Sequence, residues 1–255
     1  MDSLEAYSGN RRFTQQRNHR LIIANSNFTD CDKPMEYVDF INKLHTRSNR
    51  DYVQRVTEHD KAESAAIAKQ WGYDYWDGDR RYGYGGYHYD GRWRVVAKDM
   101  IAHYGLNAGD KILDVGCGKA FLLYEFTQVV PGLSVAGIDI SGYALAEAKE
   151  EVKSHLTEGN AIDLPYPDNS FDFVYSITTL HNLHINDLDR ALKEIDRVSR
   201  SDKSHITIEA YRNEKEKANL LYWQLTCESF FTPEEWEWVF KQAGYKGDYG
   251  CIYFE

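Results

Sequence analysis

The residues best suited to chemistry follow two short apolar runs in the middle of the chain. The first run, residues 111–115, carries Asp114 and breaks at Gly116 and Gly118. Glycine lets the backbone approach a ligand where a Cβ would collide, and the helix that follows offers free N–H groups. The second run ends near Asp139, 21 residues after Gly118, where a carboxylate can accept both ribose hydroxyls of an adenosine. This spacing predicts a site for an adenosine-containing ligand.

A third stretch, residues 158–176, is compatible with the same ligand. It places Asn160 and Ala161 at the end of a strand, where they can meet an adenine edge. A dinucleotide site would need a further glycine three residues beyond Gly118, and that position is Phe121. We therefore expect no NAD site.

The elements that must position these residues alternate between strand and helix from Asp110 onward. Strands are predicted at residues 111–115, 133–138, 155–158, 171–176 and 205–211. Helices between strands indicate a parallel sheet with right-handed crossovers. Thr232 to Glu235 forms a capping box around Pro233, which predicts a helix that ends at Gly244. Residues 251–255 are predicted as a terminal strand.

In this order and spacing the motifs resemble those of the class I S-adenosylmethionine-dependent methyltransferases, in particular the ubiquinone/menaquinone-biosynthesis branch. The Asp-x-Gly-x-Gly-x-Gly loop of that family is matched by Asp114, Gly116 and Gly118, with Ala120 replacing the last glycine. Its Leu-Pro-Phe-x-Asp-x-Ser-Phe-Asp signature is matched over residues 164–172. The resemblance implies a Rossmann-like α/β fold, with a mainly parallel central sheet and an antiparallel terminal strand.

The resemblance also implies S-adenosyl-L-methionine as cofactor. The glycine loop would wrap its methionine part, Asp139 would bind the ribose, and Asn160 stands where the family has an adenine-edge aspartate. Cys117 is expected to be a small spacer in the loop rather than a nucleophile. The expected cofactor contacts are Asp114, Gly116, Cys117, Gly118, Asp139, Ile140, Asn160, Ala161, Ser176, Tyr82 and Tyr84.

Candidates for catalysis and acceptor binding follow the fourth and fifth strands. His181 lies where a methyl acceptor should approach, and it is either a general base or a helix-packing residue. Glu209 and Tyr211 end the fifth strand at the same edge of the sheet, and each is either a binding or a structural residue. The four cysteines lack metal-ligand or disulfide spacing, so no metal site is expected.

The first 93 residues lie outside the resemblance. We expect a polar arm at residues 1–32, a helix from Pro34 to about His45, and a longer helix from a Ser48 cap to about Trp71. Together with the stretch that follows, they would form an N-terminal cap at residues 1–93, ahead of a methyltransferase domain at residues 94–255.

Residues 72–93, hereafter the aromatic segment, hold six Tyr, two Trp, six Gly and three Arg. We expect this segment to close over the cofactor and the acceptor, and the alternative is a tyrosine-rich surface loop. Tyr82 and Tyr84 would donate hydrogen bonds to the cofactor. Arg80, Arg81, Arg92 or the adjoining Arg94 would pair with a carboxylate or phosphate of the acceptor.

Charge and hydropathy limit the partners. The net charge is −10, divided into +1 for the first 100 residues and −11 for the rest, which argues against nucleic-acid binding. No apolar run approaches a membrane span, and the first thirty residues show no secretory signal pattern. A cytoplasmic setting is the simplest expectation, and the oligomeric state stays open.

The sequence thus predicts a methyltransferase that acts on a small or medium polar acceptor, with an anionic sugar or metabolite as one expected type. Three alternatives remain. They are a protein or nucleic-acid methyltransferase, an enzyme that transfers an aminopropyl group from the same cofactor, and a non-catalytic regulatory subunit that binds the cofactor.

Overall fold

A computed structural model describes residues 35–44 and 51–255. All of these residues belong to one compact unit, residues 33–255. The predicted arm at residues 1–32 and the predicted Ser48 cap lie outside the described residues.

Six strands form the central sheet, and every neighbouring pair is parallel. The strands are β1 (Lys111–Val115), β2 (Ser134–Asp139), β3 (Leu156–Glu158), β4 (Phe173–Ile177), β5 (Ser204–Glu209) and β6 (Asp248–Ile252). Their order in the sheet is β3-β2-β1-β4-β5-β6. The predicted Rossmann-like fold is confirmed, and the five strands predicted in the middle of the chain are present within two residues of their expected ends.

The predicted antiparallel terminal strand is wrong. β6 runs parallel to β5, with His205 paired to Asp248 at one end and Glu209 paired to Ile252 at the other. The reason lies in the connection between them, since two helices separate β5 from β6. Such a crossover brings the chain back to the edge of the sheet where β5 begins, so that β6 runs in the same direction as β5. A short hairpin would have made the two strands antiparallel.

Helices cover both faces of the sheet. They are α1 (Tyr52–Thr57), α2 (Lys61–Ala68), α3 (Tyr73–Trp76), α4 (Arg94–Tyr104), α5 (Phe121–Val129), α6 (Gly142–Ala146), α7 (Glu150–Lys153), α8 (Ile185–Val198), α9 (Glu214–Trp223) and α10 (Pro233–Ala243), with a 3₁₀ turn at Leu180–Asn182. α4 and α5 pack with Phe173 in one core cluster, and α8 and α10 pack with Val174 in the other. Adjacent residues of β4 therefore serve opposite cores, as expected for a strand buried on both faces.

The helix predicted from Pro34 is wrong over residues 35–44. Residues 35–39 are extended and residues 40–44 form a bend and a turn, and Tyr37 forms a parallel bridge with Tyr249 of β6. The Val38 amide donates to the Tyr249 carbonyl at 2.8 Å, and the Tyr249 amide donates to the Glu36 carbonyl at 3.0 Å. The open edge of β6 offers these backbone partners, which a local apolar period does not reveal.

The long helix predicted from Ser48 to about Trp71 is divided into α1 and α2 in the structure. Between α1 and α2, the Asp60 side chain accepts from the amides of Ala62 and Glu63, and this cap begins a new helix. Between α6 and α7, Lys149 has an extended backbone, with ψ of 133°. The predicted capping box is present, since Thr232 and Glu235 bond reciprocally and Gly244 ends α10 at φ +78°.

The strand order places a crevice at the carboxyl ends of β1 and β4. From β1 the chain continues to β2 on one side, and from β4 it continues to β5 on the other side. Open α/β sheets bind ligands in the crevice where the strand order reverses in this way. Among the described residues, no helix is both long enough and apolar enough to cross a membrane.

Candidate active site

The loop after β1 forms the floor of the crevice. Gly116 and Gly118 have φ of +81° and +53°, a region that side chains disfavour. A Cβ on Gly116 would lie 2.1 Å from the Thr179 hydroxyl, and one on Gly118 would lie 2.6 Å from the Trp76 ring. The backbone of this loop can therefore approach its neighbours only because both residues are glycine.

Asp139, at the end of β2, holds the glycine loop in place. One carboxylate oxygen accepts from the Gly118 amide at 2.7 Å and the other accepts from the Ser141 amide at 2.8 Å. Burial raises the pKa of Asp139, and these backbone donors oppose that rise. Each oxygen keeps a second lone pair, so the carboxylate can still accept from a ligand.

Asp114 is the second carboxylate of the crevice. Asp114 is only 4% exposed. Burial raises the pKa of its carboxyl to about 8, and the nearby charge of Asp139 makes a smaller contribution in the same direction. The group is therefore mostly protonated at neutral pH. Carboxylates shifted this far cluster at functional sites.

A cavity of about 200 Å³ opens above these groups. Predicted cofactor residues in its lining are Asp114, Gly116, Cys117, Gly118, Asp139, Ile140, Asn160, Ala161 and Tyr84. Burial raises the pKa of the Cys117 thiol well above its usual value, so Cys117 is a poor nucleophile. The lining also includes six further aromatic residues: Trp71, Tyr75, Trp76, Tyr87, Trp93 and Phe121.

The aromatic segment forms a continuous set of ring contacts over this cavity. Trp76 stacks on Tyr84 with ring centres 5.3 Å apart, and Tyr84 contacts Tyr87 at 4.7 Å. Tyr87 then stacks on Phe121 of α5 at 5.1 Å. The segment is therefore packed on the glycine loop and on the helix that follows it.

Polar contacts also attach the aromatic segment to the glycine loop and to α6. Lys119, in the glycine loop, forms an ion pair with Asp77 at 2.6 Å, and its side chain is 3% exposed. The Tyr143 hydroxyl of α6 donates to the same Asp77 carboxylate at 2.7 Å. Burial would raise the pKa of Asp77, but its bonds from Lys119 and Tyr143 leave it below the usual value. The Trp76 indole also donates to the Ser141 hydroxyl at 3.0 Å.

A second cavity of about 450 Å³ lies beside the first. Four aromatic residues and one threonine line both cavities: Tyr75, Tyr84, Tyr87, Trp93 and Thr178. Beyond this shared wall, the second cavity is lined by three arginines and by the predicted residues His181 and Glu209. The arginines are Arg55, Arg80 and Arg92.

His181 and Glu209 form a buried pair in the second cavity. The Nε2 atom of His181 lies 3.6 Å from a Glu209 carboxylate oxygen, and both side chains are less than a tenth exposed. Within the described chain, Nδ1 of His181 has no hydrogen-bond partner. Burial lowers the pKa of His181 to about 3, which keeps the ring neutral at ordinary pH.

Some residues predicted for the site lie outside both cavities. The buried Ser176 hydroxyl donates to the Val115 carbonyl at 2.7 Å, so it joins two strands. Arg81 lies over the Tyr82 ring at 4.5 Å, and neither residue lines a cavity. Tyr211 is buried in the core with the Lys217 ammonium 5.0 Å from its ring centre.

Other lining residues were missed by the sequence analysis. Arg55 of α1 and Gln224, which follows α9, reach the second cavity from elements that carry no motif. Thr178 stands on the shared wall with φ of +54°, an unusual backbone for a β-branched residue. Its position three residues before His181 was the one available signal.

The part of the chain that the structure describes contains no group of three or more His, Cys, Asp or Glu placed to hold a metal ion.

Comparison with known proteins identifies the family. A family model described as a methyltransferase domain matches residues 113–207. The demethylmenaquinone methyltransferase of Symbiobacterium thermophilum is 36% identical over 128 residues, covering 47% of this chain and 50% of that protein. The demethylmenaquinone methyltransferase of Staphylococcus carnosus is 31% identical over 167 residues, covering 59% of this chain and 67% of that protein. The chain spans about half the length of several such curated relatives.

A solved structure supports the same fold. The methyltransferase in the complex with the Haloferax volcanii Trm112 methyltransferase activator superposes with a TM-score of 0.51. The two chains are 20% identical, and the match covers 72% of this chain and 76% of the other. With the matching family model and relatives, these findings show that this chain belongs to the class I S-adenosylmethionine-dependent methyltransferase family.

Proposed function

We propose that this chain transfers the methyl group of S-adenosylmethionine to a small polar acceptor held in the second cavity. The observation that carries the proposal is the wall shared by the two cavities, since a donor and an acceptor must meet for direct transfer. One cavity contains the glycine loop and both crevice carboxylates, and the other contains arginines and the His181–Glu209 pair. A regulatory subunit that only bound the cofactor would have no need of the second cavity.

The residues of the first cavity fit the proposed cofactor. Gly116 and Gly118 let the loop pass close to Thr179 and Trp76 where a Cβ would collide, and Asp139 keeps lone pairs for ribose hydroxyls. Asn160 and Ile140 would border the adenine, and Asp114 would face the methionine part. S-adenosylmethionine supplies a methyl group already activated by a positively charged sulfur. The chain's main contribution is then orientation, which is worth effective molarities of about 10⁵ M or more.

The aromatic segment is proposed to close both cavities against water. Its rings line each cavity, and its Asp77 is paired to the glycine loop through Lys119. In this proposal residues 1–93 act as the cap and residues 94–255 as the methyltransferase domain.

The second cavity favours an acceptor that carries a phosphate or carboxylate. Arg80 and Arg92 line it from the aromatic segment, and Arg55 lines it from α1. The guanidinium groups of Arg55 and Arg80 both lie over the Trp223 ring, 4.5 and 5.0 Å from its centre. The guanidinium group of Arg92 is paired with Asp90, which lines the same cavity, so Arg55 and Arg80 carry the argument. Guanidinium groups suit planar or tetrahedral oxyanions.

His181 is the proposed proton acceptor if the methyl group goes to a hydroxyl oxygen. Its ring is neutral and could take the hydroxyl proton, and the Glu209 carboxylate, 3.6 Å from Nε2, would stabilise the resulting imidazolium. A neutral amine acceptor would need no proton acceptor before transfer, only the correct orientation toward the methyl group.

Binding and turnover test the function separately. Calorimetry should show binding of S-adenosylmethionine and S-adenosylhomocysteine, and none of NAD. Radiolabelled methyl transfer is then measured on sugar phosphates, nucleotide-linked sugars, hydroxy acids and amines, with transfer RNA and peptides as competing classes. Binding of NAD without S-adenosylhomocysteine would refute the proposal. Cofactor binding without turnover on any class would favour the regulatory alternative.

Two neighbouring arginines provide a matched test of the anionic acceptor. Arg80→Ala should raise the KM of an anionic acceptor about tenfold, because one charge-assisted hydrogen bond of roughly 1.5 kcal/mol is lost. Arg81→Ala should leave it unchanged, since Arg81 lies outside both cavities. Equal effects of the two substitutions on KM would remove Arg80 from the acceptor site.

A further inference from the structure

Part of the second cavity is lined by apolar side chains that belong to none of the methyltransferase motifs. They come from the segment at residues 35–44, from the end of β6 and from the residue before α4, and are hereafter called the apolar wall: Ile41, Leu44, Trp93, Ile252 and Phe254. All five belong to one core cluster or pack against it. Ile41, Ile252 and Phe254 are at most 5% exposed, so this part of the cavity is closed to solvent.

Backbone pairing at the edge of the sheet brings residues 35–44 to this position. The Val38 amide donates to the Tyr249 carbonyl at 2.8 Å, and the pairing is parallel. The segment therefore advances along β6 toward the carboxyl ends of the strands. A turn follows, in which the Leu44 amide donates to the Ile41 carbonyl at 2.8 Å, and both of these residues line the cavity.

Further contacts hold the segment on the sheet. The buried Asp248 carboxylate accepts from the Glu36 amide at 3.2 Å and from the Tyr104 hydroxyl at 3.1 Å. The Phe40 ring contacts the His205 ring of β5, with ring centres 4.9 Å apart. The apolar wall is thus already ordered, and a ligand that packs against it has little ordering entropy to overcome.

Polar groups line the cavity at the neighbouring strands. His181 follows β4 and Glu209 ends β5, whereas Ile252 ends β6 and Ile41 lies in the segment beyond it. Because the sheet order is β4-β5-β6, the lining changes from polar to apolar along the edge of the sheet.

The arginines of the cavity adjoin the apolar wall. Arg55 and Arg80 lie over the Trp223 ring. That ring contacts Tyr52 with centres 6.1 Å apart, and Tyr52 contacts Phe254 at 6.5 Å. An anionic group beside these arginines and an apolar group against Phe254 can therefore belong to one small molecule.

We propose that the acceptor combines an anionic group with a compact apolar group, such as a benzene ring, and that the apolar group packs against the apolar wall. The inference rests on the proposed function and narrows its acceptor class, because a sugar phosphate would place hydroxyl groups against this wall. At about 450 Å³ the cavity lies in the lower part of the range for small-molecule pockets, which favours a ring over a long chain.

Calorimetry on the full chain with saturating S-adenosylhomocysteine tests the proposal with three probes. Phenyl phosphate carries both groups, glycerol phosphate carries the same anion on a polar body, and biphenyl phosphate carries a second ring. The wild-type protein should bind phenyl phosphate at least about tenfold more tightly than glycerol phosphate, because the ring leaves water. Biphenyl phosphate should bind no more tightly than phenyl phosphate, because the apolar end of the cavity is closed.

Two leucines provide matched variants. Leu44→Ala shortens a half-buried side chain of the apolar wall and should lower the preference for phenyl phosphate over glycerol phosphate about three- to tenfold. Leu44→Met keeps the apolar volume and should keep the preference. Leu221→Ala removes the same atoms from an exposed side chain that lines neither cavity, and it should leave the preference unchanged.

The outcomes separate this inference from the proposed function. Equal affinity of the wild-type protein for phenyl and glycerol phosphate would overturn the apolar group and leave the methyltransferase function standing. A preference that falls equally in Leu44→Ala and Leu221→Ala, or in neither, would remove residues 35–44 from the acceptor site. Much tighter binding of biphenyl phosphate would overturn the compact size. If the wild-type protein did not bind S-adenosylhomocysteine, the proposed function would fail, and the same titrations without it would still measure the preference.

Discussion

At the scale of single residues, Asp139 joins the glycine loop to the proposed ribose site. Its two oxygens accept from the Gly118 and Ser141 amides. Asp139→Ala removes an ionised acceptor, so affinity for S-adenosylhomocysteine should fall by about 2 kcal/mol or more. Calorimetry measures this loss, and Asp139→Asn, which keeps one carbonyl oxygen, should lose less. An unchanged dissociation constant in Asp139→Ala would exclude Asp139 from the site.

Asp114 predicts a pH dependence of cofactor binding. Its pKa of about 8 makes the carboxyl mostly neutral at pH 7 in the free protein. A cationic donor favours the ionised form, so binding releases a proton and affinity should increase as pH rises toward 8. Below that pH the dissociation constant should change by up to about tenfold per pH unit, and above it the profile should be flat. Calorimetry from pH 6 to pH 9 checks this.

The control for that profile is Asp114→Asn, which cannot ionise. It should bind S-adenosylmethionine with the same affinity across the range. A flat profile in the wild-type protein would contradict the assignment of Asp114 to the donor site.

Site residues at the ends of strands could be predicted from the sequence, because their positions depend on local spacing. Asp114, Gly116, Gly118 and Asp139 were identified in this way, and all four line the first cavity. The exclusion of Arg81 could not be predicted, because neighbouring residues of a turn point in directions that only the fold determines. The same holds for Arg55, which reaches the second cavity from a helix without a motif.

At the scale of elements, the buried ion pair between Lys119 and Asp77 joins the glycine loop to the aromatic segment. Lys119→Met leaves the Asp77 carboxylate without its cation, which should cost about 3 kcal/mol of unfolding free energy. Urea denaturation measures the loss. Cofactor affinity should fall as well, because the segment lines the first cavity.

An exposed ion pair of the same length provides the comparison. Lys193 lies 2.6 Å from Asp189 on α8, but both side chains are largely in water. Lys193→Met should therefore cost less than about 0.5 kcal/mol. Similar losses in the two variants would mean that the Asp77–Lys119 pair does not stabilise the segment.

The sequence predicted strands and helices correctly where the apolar pattern was strong. The predictions were wrong where tertiary contacts determine the local structure. Strands β1, β4 and β5 were predicted within two residues, because their burial on both faces demands continuous apolar runs. The segment at residues 35–44 was predicted as helix, yet it pairs with the edge of β6. α9 (Glu214–Trp223) was not anticipated, and its charged first turn gave no apolar stripe to detect.

At the scale of the whole molecule, charge and cavity size favour a small acceptor over a macromolecular one. The net charge of −10 would repel a nucleic-acid backbone, and the more acidic part of the chain contains the entire sheet. The positive groups of the second cavity come from Arg55, Arg80 and Arg92, all in the first 100 residues, and of these Arg92 is paired with Asp90 in the same lining. A compact anion can reach this local positive region without meeting the acidic surface as a whole.

The described residues should unfold as one cooperative unit that the cofactor stabilises. Phe40 and Ile41 pack in the same core cluster as α4 and α5, and the first cavity is built from residues between Trp71 and Leu183. S-adenosylhomocysteine at 100 times its dissociation constant should add about 2.7 kcal/mol, or roughly 5–10 °C in Tm. Differential scanning calorimetry should show one transition that moves as a whole, and Asp139→Ala should shift only about a third as far at the same ligand concentration, because a roughly 30-fold weaker dissociation constant leaves about 0.9 kcal/mol of stabilisation. Two transitions, of which the ligand moved only one, would instead show that the aromatic segment and the sheet unfold independently.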